Sequence, residues 1–169
     1  MRNNLILISF GAFLALAFFC REAKAATYYV DYTNGNDNNA GTQDLPLKNH
    51  PWMSTFSGAI SLSAGDTVYM KRGETWSVSN PTADFVTIAA SGTAGSYITT
   101  TAYGSGERPL IKIATNTAKN VVYGAGKSFI KFDNLHIEHW SASDYGPNTK
   151  DGIQFRKDGQ GNVPHDRLS

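Results

Sequence analysis

The stretch from Ser128 to Trp140, SFIKFDNLHIEHW, constrains the fold more than any other part of the chain. Ile130 and Phe132 alternate with Lys131, and Leu135 and Ile137 alternate with His136 and Glu138. A period of two marks a strand with one buried face. The two apolar phases are offset by an odd step across Asp133-Asn134. An Asn in the left-handed conformation turns the chain sharply there and leaves both flanking strands facing inward. Trp140 to Lys150 then reads as a longer polar loop, and Asp151 to Arg156 as a further strand with Ile153 and Phe155 inward. Strand, short turn, strand, long loop, strand is one rung of a parallel β-helix and part of the next.

The preceding residues fit the same all-β scheme. Short apolar runs at Thr67–Lys71, Phe85–Ala89, Tyr97–Tyr103, Leu110–Ala114, Asn120–Tyr123, Phe129–Phe132, Leu135–His139 and Gly152–Arg156 are punctuated by Gly or Asn. No tight Asn-Gly turn joins them after Gly35, which disfavours a meander of hairpins and a β-sandwich binding module. At about 22 to 25 residues per rung, positions 66 to 158 hold roughly four rungs. Upstream, Thr27–Asp31 is a short strand candidate. Asn34 to Thr42 is turn chemistry, oxygen-rich enough for a Ca²⁺ loop but without the spacing of an EF-hand. Trp52 to Leu62 follows Pro51 and carries Met53, Phe56, Ala59 and Ile60 at helical spacing. It is expected to form a helix, ended by Gly65, that caps the open end of the coil.

The first 25 residues have a separate logic. Arg2 precedes an unbroken run of apolar and small residues from Leu5 to Cys20, and Ala23-Lys24-Ala25 gives the small–x–small pattern of signal peptidase. The run is shorter than the roughly 20 residues of a bilayer span. Cleavage after Ala25 is expected, with export to the periplasm, the cell surface or the medium and no stable membrane insertion afterwards. It would remove Cys20, the single cysteine, and with it any disulfide framework. It would also remove Arg2, Arg21, Lys24 and Glu22, taking the net charge from +1 to −1. That balance is unlike a nucleic-acid footprint. The organisation expected is a signal peptide at 1–25, a strand, turn and capping helix at 26–65, and the first rungs of a β-helix at 66–169.

Several motifs in order carry a family resemblance. They are Tyr28-Tyr29-Val30-Asp31, the Asn-Gly-Asn-Asp run ending in Gly41-Thr42, Pro51-Trp52, and Ala64-Gly65-Asp66-Thr67-Val68-Tyr69-Met70-Lys71-Arg72-Gly73-Glu74-Thr75-Trp76. Ser91 to Thr99, Ala102-Tyr103-Gly104 and Arg108-Pro109-Leu110-Ile111 continue them. Together they resemble the opening of secreted right-handed parallel β-helix proteins of the pectin-lyase-like superfamily. The resemblance implies a right-handed solenoid and a polysaccharide partner, acidic glycans included. Family members have many rungs, so it also implies the N-terminal portion of a longer, interrupted protein whose catalytic centre lies elsewhere.

A lyase acting on uronate glycans needs a base for the C5 proton and a cation to neutralise the carboxylate. A hydrolase needs two opposed carboxylates instead. The resemblance implies that sugars lie along the outer face of one sheet, flanked by the long loops. On that basis Gln154 and Arg156 on the last strand, with Trp140 and Lys150 on the loop before it, are the expected substrate-binding residues. Trp140 would stack on a sugar ring and Arg156 would hold a uronate carboxylate. His136 and Glu138 share an outward face but are too few for a closed metal site. Lys71 to Glu74 reads as the closure of an early rung. No convergent catalytic set stands out, and calcium is the one cofactor the sequence leaves room for. The function expected is a polysaccharide lyase or related carbohydrate-active enzyme. The alternative is a non-catalytic adhesin or glycan-binding scaffold.

Overall fold

The computed structural model describes residues 24–115, 117 and 119–139, together with the backbone of 153–156. The expected signal peptide, apart from its last two residues, lies outside this range.

Ten strands follow one another: β1 (Thr27–Val30), β2 (Thr67–Lys71), β3 (Thr75–Val78), β4 (Val86–Thr87), β5 (Ile98–Tyr103), β6 (Leu110–Ile113), β7 (Val122–Ala125), β8 (Ile130–Phe132), β9 (His136–His139) and β10 (Ile153–Arg156). They form three sheets, a first of order β1-β2-β5-β8, a second of order β3-β6-β9 and a third of order β4-β7-β10. All strand pairs are parallel. From β2 onward the chain visits the first, second and third sheet in strict rotation. The result is a β-helix-like coil of three successive turns, with β1 added to the first sheet ahead of it.

The rung is longer than the sequence suggests. Register steps 32 residues from Thr67 to Thr99 and 32 again to Lys131. The strands have only 2 to 6 residues, so the corners set the length of a turn. The corner between β4 and β5 alone runs from 88 to 97. Three turns therefore occupy the chain that a shorter rung would divide into four.

Strands β2, β6 and β7 bury alternate residues, as a sheet with one packed face must. Val68 and Met70 of β2, Ile111 and Ile113 of β6, and Val122 of β7 point inward and are 0–2% exposed. Aligned residues stack from turn to turn, as in Trp76–Ile111–Ile137. Each such side chain contributes about 1.5–3 kcal/mol through burial. Strand β3 was not foreseen, because TWSV is short and flanked by Glu74 and Ser79. Its Trp76 is nonetheless among the largest buried side chains, and its Nε1–H donates to the Lys48 carbonyl at 2.9 Å.

The expected capping helix at Trp52–Leu62 does not form, and the described residues contain no helix. Its amide groups are claimed by other partners. Ser54 N–H donates to the Phe85 carbonyl at 2.7 Å, and Ser57 N–H donates to Asp37 Oδ2 at 3.1 Å. Met53 makes an antiparallel bridge to Val86. Gly58 presses so close to Asp37 that a Cβ there would sit 2.1 Å from the Asp37 carbonyl oxygen. The segment is instead a series of turns that lays Trp52, Met53 and Leu62 onto the core. Gly65 has φ +91°, but its N–H bonds Ser96 in the next turn rather than ending a helix.

Two polar side chains organise this cap. Asp37 accepts from the N–H groups of Lys48, Asn49 and Ser57, and from the side chains of Asn49 and Ser57. His50 is 1% exposed: its Nδ1 accepts from Trp52 N–H and its Nε2 lies 3.0 Å from Thr100 Oγ1. The first of these bonds fixes the neutral tautomer with the proton on Nε2. Burial pushes the His50 pKa down to about 3.

The sharp turn foreseen at Asp133-Asn134 is present, with Asn134 at φ 57° between β8 and β9.

Candidate functional site

The third sheet carries the residues expected to meet substrate. Its register aligns Thr87, Tyr123 and Gln154 in one row, and Ala125 with Arg156 in another. Val86 and Val122, in the alternating row, are buried, whereas Thr87 is exposed and Tyr123 half-buried. Gln154 and Arg156 are paired in register with Tyr123 and Ala125. Trp140 and Lys150 lie outside the described residues, as does most of the loop that leads into β10.

A second group of chemically active side chains lies where the first sheet turns into the second. Lys71 Nζ donates to Asp31 Oδ2 at 2.6 Å and lies 3.9 Å from Glu74 Oε1. Glu74 also accepts from the N–H groups of Tyr32 and Thr33, and Asp31 from those of Thr33 and Asn34. Burial works to raise the Asp31 pKa. The Lys71 hydrogen bond and the Asn34 donors outweigh it and bring the group to about 2. The hydrogen bond to Asp31 pushes the Lys71 pKa up, with both carboxylates adding to the effect. Tyr103 is raised to about 12, first by burial and then by Asp31, Glu74 and Tyr29.

These shifts decide what the cluster can do. A proton-abstracting base must be free to accept a proton near neutral pH. Lys71 is held as an ammonium ion and Tyr103 as a phenol. The cluster therefore anchors the Asp31–Gly35 turn to the first rung. Along the same sheet face Tyr29 stacks on Tyr69 at 5.4 Å, and Tyr103 meets Tyr29 edge-on at 5.2 Å. The closure of an early rung by Lys71 to Glu74 was expected from the sequence, but the tyrosine ladder and the part of Asp31 were not. The signal that reveals them is the 32-residue step, which aligns Lys71 with Tyr103.

Recesses open to solvent among the described residues include a notch and a cleft. A notch of about 160 Å³ lies between the cap and β3, lined by Tyr32, Lys48, Asn49, Trp76, Ser77 and Phe85. The Lys48 ammonium sits 5.2 Å over the Tyr32 ring, and that ring stands edge-on to Trp76. A larger cleft of about 390 Å³ runs along the corner between the first and second sheets, past Glu74, Glu107, Arg108 and His136.

In the Asn34–Thr42 run, where the sequence leaves room for calcium, the carboxylate has partners within the protein. The carboxylate of Asp37 is filled by hydrogen-bond donors, and that of the adjacent Asp31 by donors and Lys71. Among the described residues, no group of three or more His, Cys, Asp or Glu side chains is placed to hold a metal ion. His136 and Glu138 approach only to 4.0 Å.

No family model matches the chain, and no curated protein is similar to it in sequence. Solved structures do share its coil. A selenomethionine derivative of the GH136 lacto-N-biosidase from Eubacterium ramulus superposes with a TM-score of 0.57 at 21% identity, over 77% of this chain and 24% of the enzyme. The native form of that enzyme gives 0.54 at 22% identity, over 76% and 23%. A rhamnogalacturonan lyase aligns over 66% of this chain and 28% of its own, at 25% identity and a TM-score of 0.48. The chain thus spans about a quarter of the length of the lacto-N-biosidase. At this identity, the likeness to the GH136 structures is one of fold.

Proposed function

We infer that this chain belongs to an exported, right-handed parallel β-helix protein of the pectin-lyase-like kind that engages polysaccharide as a carbohydrate-active enzyme. The observation that carries the reading is the coil shared with the lacto-N-biosidase over 77% of the chain, since that enzyme acts on a glycan by its name. Right-handed winding follows from the strong preference of parallel crossovers for that hand. In the third sheet Gln154 and Arg156 are paired in register with Tyr123 and Ala125. In this reading the Arg156 guanidinium would grip a uronate carboxylate in bidentate fashion, with Trp140 and Lys150 as further contacts.

A non-catalytic scaffold is the second reading, favoured by one specific observation. The tightest cluster of charged groups among the described residues is locked in structural bonds: Asp31, Lys71 and Glu74 hold the N-terminal turn. In this reading the same outer face binds glycan without cleaving it.

The test is retention of the full chain on immobilised neutral and uronate-containing polysaccharides, followed by product analysis with the longest natural form of the protein. Retention with an unsaturated uronate product identifies a lyase, and new reducing ends without that chromophore identify a hydrolase. Retention without products supports the scaffold. Failure to bind any glycan in a broad panel would sink both readings.

A further inference from the structure

The corner cleft contains charged groups that the fold does not use. Three successive turns build it. Arg72 ties them together, Nη1 donating to the Gly106 carbonyl at 3.3 Å and Nη2 to Asn134 Oδ1 at 2.9 Å. Gly73 N–H adds a bond to the Glu107 carbonyl at 2.9 Å. Gly73 and Gly106 take φ values of +78° and +110°, and the Cβ position of Gly106 is only 3.6 Å from the Gly73 nitrogen. The turns are thereby packed backbone to backbone, and the side chains that follow them are held around Leu110 in a cleft of about 390 Å³. That size falls within the range of about 300–1,000 Å³ usual for small-ligand sites.

Glu74 is fixed by Tyr32, Thr33 and Lys71, but Glu107 and Arg108 have no such role. Both are exposed, and among the described residues neither side chain makes a hydrogen bond or ion pair. His136 adds an imidazole from the third turn, its side chain 56% exposed. A ridge salt bridge would have paired Glu107 with a cation. Here a carboxylate acceptor, a guanidinium donor and an imidazole line one open cleft beside Leu110.

We propose that this corner cleft is a second glycan subsite, which takes a neutral disaccharide unit. Vicinal sugar hydroxyls both donate and accept, so they satisfy Glu107 and Arg108 together. The lone pairs that Glu74 has left and His136 extend the contact. Two carboxylates in the lining, Glu74 and Glu107, oppose an anionic sugar. The inference rests on the proposed engagement of polysaccharide but uses a different face of the coil. A glycan held here lies along the edge of the solenoid and tethers it to its polymer.

The experiment is a titration of isotope-labelled full-length chain with lactose, cellobiose and digalacturonate, followed by amide NMR. Lactose or cellobiose is expected to shift the signals of Gly73, Thr75, Glu107 and His136, and digalacturonate to leave them in place. Arg108→Ala and Glu107→Gln alter exposed side chains, so both should keep the wild-type spectrum elsewhere and weaken binding by about tenfold. Silence at these amides while Tyr123 and Ala125 respond to sugar would overturn the subsite and leave the wider glycan reading standing. Wild-type affinity in both variants would overturn it as well. A chain that responds to no sugar at any amide, and is retained on no polysaccharide, loses both readings together.

Discussion

His50 shows how much of this fold depends on single buried polar groups. The neutral imidazole sits inside the coil, and its pKa is pushed from the usual 6.5 to about 3. Between those values the unfolded chain binds a proton that the folded protein refuses. Stability is therefore level above pH 6.5 and falls as the pH drops through the window down to about 3. Asp31 adds a second loss lower down, as pH falls from 3.8 toward about 2 and its bond to Lys71 is protonated away. A series of urea unfolding curves from about pH 7.5 to about pH 4.5 checks the first loss. His50→Leu should flatten that dependence, while costing about 1–3 kcal/mol for each partner left unsatisfied on Trp52 and Thr100. A wild-type midpoint that does not move with pH would refute this account. At Asn134, replacement by Ala forfeits both a residue tolerant of φ 57° and the Arg72 bond, at a cost of about 1–2 kcal/mol. Asn134→Gly loses only the bond, so its thermal midpoint should lie above that of Asn134→Ala. Asn134 was legible from sequence because two strand phases collide there. His50 was not, because a lone His before Pro looks the same whether buried or exposed.

At the level of elements, the cap segment is the instructive case. Met53, Phe56 and Ile60 recur at a spacing that fits an amphipathic helix, yet they are brought to the core by turns. Periodicity reports which side chains seek burial. It does not report that Asp37, 20 residues upstream of Ser57, and the Phe85 carbonyl will take the amides a helix needs. Far-ultraviolet circular dichroism of the chain without residues 1–25 should accordingly show a β spectrum with no helical double minimum. Gly58→Ala is expected to lower stability by about 3 kcal/mol or more, since its Cβ would overlap the Asp37 carbonyl unless the turn shifts. Full wild-type stability in that variant would mean the segment packs differently. Strand β3 was hidden for the opposite reason. Its four residues are too few to show a period, and its partners Leu110–Ile113 are distant in sequence.

For the whole molecule, stability is a sum of turns and the contacts between them. Strands β2 and β5 have a hydrogen-bonded neighbour on each side, whereas among the described residues β9 pairs only with β6. Hydrogen exchange should therefore be slowest for amides of β2 and β5 and faster in β9. Uniform protection across the three would contradict this nearest-neighbour view. A parallel coil was legible because inward residues alternate in every run. The number of turns was not, because it depends on corner lengths, and polar corner residues carry no periodicity.

The registers of the three sheets differ in one respect. Along the first sheet the step is 32 residues twice. Along the second it is 35 from Thr75 to Leu110 and 26 from there to His136, and along the third 36 from Val86 to Val122 and 31 to Ile153. The constant step of the first sheet is a balance: from the first turn to the second, the corner into the second sheet lengthens by three residues and the next by one, while the corner back to the first sheet shortens by four. A residue added at one corner must therefore be given up at another corner of the same turn for the first sheet to keep its spacing.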